Sequence, residues 1–183
     1  MTPRISKPEI AILLGILVVI VFTVWPAVWA ARLRNRVMEA RQSIDRLITA
    51  GRQFNKEYGI WPTLRMQPSG DFRFGQEIPN LEVIHALQAK DGIGNERHRT
   101  NPGKIVFFEA DLHRFGRSGL STEGDYLDPW GSPYQIVLDI DLNGLCDIDN
   151  SIYGRGIGQG MVVWSCGPDR KSDTPDDVLS WKK

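Results

Sequence analysis

Hydrophobic and polar positions change rhythm twice along this chain. From Ile10 to Ala31 no charged residue occurs, and at ~1.5 Å per residue that run is about 33 Å long as a helix, enough to cross a hydrocarbon layer of about 30 Å. It is too long for the apolar core of a cleaved secretory signal, and it ends on Trp25, Trp29 and arginines, which reads as an uncleaved anchor. Beyond it, Val37, Ala40, Ile44, Leu47, Gly51, Phe54 and Tyr58 recur at alternating steps of three and four, one face of a helix. Arginines, Glu39, Asp45 and Glu57 take the other face. The pattern predicts one long helix ending at Gly59, a left-handed stop before Trp61-Pro62, with Pro26 as the place for a kink. A stripe this narrow is compatible with a coiled-coil seam, but a glycine in register favours a helix laid on a sheet.

From residue 59 onward the long periods disappear and punctuation takes over, at Gln67 to Gly70 and again from Asn95 to Gly103. Leu81 to Ala89 predicts a short helix, and Ile105 to Phe108, after a Pro-Gly turn, a buried strand. Asp128-Pro129-Trp130-Gly131-Ser132-Pro133-Tyr134 predicts a turn feeding the strand Gln135 to Leu138, with Gly160 to Trp164 as its antiparallel partner. The expected architecture is α+β, a long N-terminal transmembrane and stem helix packed on a small antiparallel head. Its divisions are 1–31 for the flank and membrane helix, 32–58 for the stem and 59–183 for the head.

Charge changes this picture only locally. The 22 basic and 22 acidic residues cancel, so no global field recruits nucleic acid or an acidic substrate. Arginines cluster at 32, 34, 36, 41, 46 and 52, while aspartates crowd the last third. Arg4 and Lys7 precede the apolar run and Arg32, Arg34 and Arg36 follow it, a count that by itself favours a cytoplasmic head. Glu9 stands at the edge of the apolar run, where a carboxylate needs a partner or the membrane surface.

Two acidic stretches have the donor chemistry for a hard cation. In the closing segment Asp169 faces Asp176 and Asp177 across turn residues, suiting either a divalent ion or a solvated loop whose aspartates cap turns. Upstream, Asp139, Asp141, Asn143, Gly144 and Asp147 match the early positions of an Asp-x-Asp-x-Asn-Gly calcium loop. Position twelve of that loop is Asn150 and not glutamate, and neither flank has a helical pattern, so a hairpin turn shaped by Asn-Gly explains it equally. Cys146 and Cys166 are too few for a zinc framework, leaving a disulfide or two buried thiols. His85, His98 and His113 are scattered without a nucleophile turn, and the glycines at 154, 156, 158 and 160 precede no helix or lysine. No enzymatic reading, phosphate loop or small-molecule substrate follows from them.

Taken together, Glu9 with Pro26, Tyr58-Gly59-Ile60-Trp61-Pro62-Thr63, Asp128 to Tyr134, and Ser165-Cys166-Gly167-Pro168-Asp169 through Asp176-Asp177-Val178-Leu179-Ser180-Trp181 resemble the GspG-type major pseudopilins of type II secretion systems. The resemblance covers both ends of the chain and not its middle. It implies a pilin-like structural subunit of a pseudopilus, a homo-oligomeric filament acting in protein secretion beside other secretion-system subunits. The subunit would be held in the inner membrane by a single pass, its head in the periplasm. It also implies calcium in the closing loop, held by Asp169, Asp176 and Asp177 with the carbonyls of Cys166 and Val178, and an assembly role for Glu9 toward a neighbouring subunit's amine. Arg4 and Ile5 stand where that family has the Gly-Phe pair of its processing site. The alternative on the same residues is a membrane-tethered calcium-binding module with a non-filament partner.

Overall fold

The computed structural model describes residues 7–66, 70–148, 153–154 and 156–182. The chain falls into two compact units, Met1–Asn35 and Arg36–Lys183. Helix α1 spans Lys7–Tyr58 and includes Pro26 as one continuous element. In the first unit its described apolar side chains are exposed, Phe22, Trp25 and Trp29 most of all, with Leu33 half-buried. This helix is long and apolar enough to cross a membrane, and its best window, of mean hydropathy 2.7, has no buried residue.

In the second unit the expected stripe is buried at its centre: Ala40, Ile44, Leu47, Gly51 and Phe54, widened by Ser43, Ile48 and Ala50. The widened stripe is that of a helix seated on a head and not of a coiled-coil seam. Phe54 meets Phe107 edge-on with ring centroids 5.4 Å apart, Tyr58 donates to Asn101 Oδ1 at 2.7 Å, and Arg46 donates to the Tyr126 hydroxyl at 2.9 Å. Gly59 closes α1 at φ +70°, its amide bonded to Asn55 O.

The head contains β1 (Arg73–Phe74), α2 (Leu81–Leu87), β2 (Gly119–Leu120), β3 (Tyr126–Leu127), β4 (Gln135–Leu138), β5 (Met161–Ser165) and β6 (Val178–Leu179). The main sheet runs β1-β4-β5-β6, antiparallel throughout, and β2 pairs with β3 separately. Leu138 pairs with Met161 and Gln135 with Trp164, so the expected hairpin forms, with β5 beginning one residue later than expected at Met161.

Both faces of this hairpin are covered. Side chains alternate across a strand, so Ile136, Leu138, Met161 and Val163 share one face and Val137, Val162 and Trp164 the other. A Cβ placed on Gly51 would lie 2.3 Å from Met161 Sδ, which puts α1 directly on the first face. The second face packs with Cys146, Ile148 and Tyr153, flanked by Ile157, Leu179 and Trp181. These residues come from the β4–β5 excursion and the closing segment, not from a helix. That irregular cover carries the acidic residues.

Two expectations are corrected. Ile105 to Phe108 forms no strand, and Ile105 and Val106 are exposed. Asn101 captures the segment instead: its Oδ1 accepts the Ile105 amide and its Nδ2 donates to the Ile105 and Ala86 carbonyls, while Phe107 and Phe108 donate to Leu87 O. A side-chain amide has replaced a ladder. The short helix α2 also stops at Leu87, two residues early, because Ala89 takes φ +54°. The loop residues 67–69 lie outside the described residues.

Candidate metal centre

Among the described residues one group of three acidic side chains brings ligand oxygens within 4.8 Å of one another: Asp71, Asp139 and Asp141. Asp139 leaves the end of β4 and is 6% exposed, whereas Asp71, two residues before β1, and Asp141 are half-buried. Because β1 pairs with β4 through Arg73 and Val137, the residues just before β1 lie beside those just after β4. Pairing of the strands therefore places Asp71 against the loop.

Hydrogen bonds hold the arrangement. Asp71 Oδ1 accepts the Ile140 amide at 2.8 Å and Oδ2 the Asp147 amide at 2.9 Å, so one carboxylate grips both ends of the loop. Asp141 Oδ2 accepts the Gly70 amide at 3.0 Å. Within the loop, Asp139 Oδ2 accepts the Gly144 amide, Asp141 Oδ1 that of Asn143, and Asn143 Oδ1 that of Leu145. Asp139 Oδ1 is sealed from solvent with no hydrogen-bond partner. Burial pushes the Asp71 carboxyl above the usual carboxylate range; the amides of Asp147 and Ile140 oppose that, and the charges of Asp141 and Asp147 add to it.

The closing loop is arranged differently. Asp169 donates its amide to Asp176 Oδ2 at 3.2 Å, and its Oδ1 accepts the Lys171 amide at 2.8 Å. Asp176 Oδ1 accepts the Thr174 hydroxyl. Asp177 Oδ2 accepts the Asp173 and Thr174 amides and the Tyr153 hydroxyl. These are turn-capping bonds. The three carboxylates of Asp169, Asp176 and Asp177 do not gather as the upstream group does. Two features nevertheless suit an ion there: Asp177 Oδ1 is buried and unpartnered, and Gly167, at φ +64°, lets the chain pass so close to the Asp176 carbonyl that a Cβ would lie 2.5 Å from it. Burial also lifts the Asp177 carboxyl, against the Thr174 and Asp173 amides. Calcium bound there would supply charge neutralisation and crosslinking, with Asp169, Asp176, Asp177 and the carbonyls of Cys166 and Val178 as its donors.

The remaining expected residues fall as follows. Glu9 is in the first turn of α1. Asp147 is exposed, its amide on Asp71; Asn150 lies outside the described residues. Cys146 and Cys166 are free and buried, and burial pushes their thiols up to about 12 and about 11. His85 lies on α2 and not in a loop, His98 in the short 3-10 turn Glu96–His98, and His113 beside the Asp128 carbonyl. Asp71 is the donor that sequence reasoning missed. Its only local signal is Gly70-Asp71 in a turn-rich stretch, and its partners lie about seventy residues away.

No family model, curated protein or solved structure matches this chain.

Proposed function

We propose that this protein is a membrane-anchored structural subunit of a pilin-like filament of the type II secretion class. It is structural and not catalytic, with a single pass in the inner membrane and its head in the periplasm. The observation that carries this reading is α1, whose apolar N-terminal part is unburied and whose C-terminal part is seated on an antiparallel head. An exposed apolar helix must be covered by lipid or by equivalent helices. Either cover is what a filament subunit uses before and after assembly. Calcium in the closing loop would hold the irregular cover of the head, and Glu9 would meet a neighbouring subunit.

The test is crosslinking through engineered cysteines at exposed positions of α1, Leu17→Cys and Met38→Cys. The native thiols are buried and little ionised at neutral pH, so the engineered ones report selectively. Dimers in membranes captured at Leu17→Cys, extended to a ladder when Leu17→Cys and Met38→Cys are combined in one chain, are the expected result. Monomers alone at both positions, with the cysteines accessible to a maleimide, would refute assembly.

A further inference from the structure

The Asp-x-Asp-x-Asn-Gly loop starting at Asp139 lacks its acidic twelfth residue, yet the fold delivers a carboxylate to it from elsewhere. We propose that Asp71, Asp139 and Asp141, with Asn143 beside them, form a binding site for one calcium ion, in which Asp71 takes the part of the missing twelfth-position acid. This goes beyond the filament reading and is independent of the closing loop.

Three observations converge. Oxygens of the three carboxylates lie within 4.8 Å of one another, a spacing that oxygen-ligated cations bridge and bare like charges resist. The Asp139 carboxylate is 6% exposed and keeps Oδ1 without a donor, where a buried charge demands a counterion. Gly144, at φ +85°, occupies the sixth position of the loop, where calcium loops need glycine for the sharp turn. The oxygen-only donor set and its origin in two separate chain segments suit calcium's irregular coordination better than the strict octahedron of magnesium.

The ion would close a physical gap in the fold. Just beyond this loop Cys146 and Ile148, outside the named strands and helices, enter the core on the second face of the β4–β5 hairpin. Fixing the loop to Asp71 pins these residues to the edge strand β1.

The experiment is calorimetric titration of calcium chloride into the full chain, stripped with chelator, in mild detergent with excess magnesium. Beside the equivalent assigned to the closing loop, the parent is expected to bind one further calcium equivalent that is lost in both Asp71→Asn and Asp141→Asn. The double substitution Asp176→Asn with Asp177→Asn should retain it. Each variant is first checked for a parent-like circular dichroism spectrum in chelator, so that lost binding is not lost folding. Because Asp71 and not Asp141 grips both ends of the loop, the Asp141→Asn variant serves if Asp71→Asn does not fold. A folded Asp71→Asn or Asp141→Asn protein that binds as many calcium equivalents as the parent, or a folded Asp176→Asn with Asp177→Asn protein that binds none, overturns the proposal. Crosslinked oligomers would stand in either case, so the failure of this site is distinguishable from failure of the filament reading.

Discussion

Asp128 offers the sharpest perturbation of the head. Its carboxylate is fully buried between the turn that precedes β4 and the end of β5. Oδ1 accepts the amides of Trp130 and Ser132, both at 2.9 Å, and Oδ2 accepts the Ser165 hydroxyl at 2.5 Å. Asp128→Ala strands three donors. Water can reach the half-buried Ser132, but Ser165 and Trp130 are sealed. Two stranded donors at about 1–3 kcal/mol each, less the relief of a desolvated charge, give a loss of about 2–5 kcal/mol. That is a large share of the ~5–15 kcal/mol that holds a domain together. Asp128→Asn keeps an oxygen for both amides, so its loss should be about 1 kcal/mol.

The pH dependence has a definite sign. Burial raises the Asp128 carboxyl above its usual range, opposed by the Ser165 hydroxyl and the amides of Ser132, Trp130 and Gly131. A raised carboxyl stabilises the fold fully below its unfolded value of about 3.9, and that contribution is lost as pH rises through the folded value. The stability of the parent minus that of Asp128→Asn should therefore fall as pH rises above about 4. Urea unfolding of the full chain in detergent, followed by tryptophan fluorescence, measures both quantities. An Asp128→Ala protein as stable as Asp128→Asn, or a difference that grows with pH, would refute the reasoning.

Two further substitutions probe the packing. Phe54→Ala removes a fully buried ring in contact with Tyr58 at 4.7 Å and Phe107 at 5.4 Å, and should cost about 3–5 kcal/mol in the same unfolding assay. A loss under about 1 kcal/mol would mean that α1 is not seated on the head. Gly75→Ala puts a Cβ at φ +104° and 2.3 Å from the Tyr134 carbonyl, so it should lower the unfolding midpoint, whereas Gly144→Ala, with open space around it, carries only the backbone strain of φ +85°. Equal midpoints for the two variants would remove the argument for close approach at β1.

The long helix and its buried stripe were legible because the stripe repeats a period over enough residues to outvote local exceptions, and the glycine stop and the β4–β5 hairpin because turn residues punctuate them. The helix stripe recurs from Ala40 to Phe54, and the hairpin strands are apolar runs bounded by turns. Strands β1, β2, β3 and β6 have two residues each, too short for any period to show. Ile105 to Phe108 misled because its apolar character was read as burial in a ladder, while the competing partner, Asn101, precedes it by four residues.

What replaces periodicity in this head is the single buried polar side chain. Asn80, Asn101 and Asp128 are each fully buried, and each satisfies backbone groups in or beside turns and two-residue strands: Asn80 accepts the Tyr126 amide and donates to the Tyr126 and Tyr134 carbonyls. Each stands beside turn residues, Pro79, Pro102 and Pro129, where a chain that cannot form a ladder must find other partners. By that logic a buried polar residue in a turn-rich stretch should have every oxygen engaged. Asp139, 6% exposed, leaves Oδ1 unengaged, and that oxygen belongs to the same carboxylate that Asp71 and Asp141 approach. The proposed calcium would engage that oxygen.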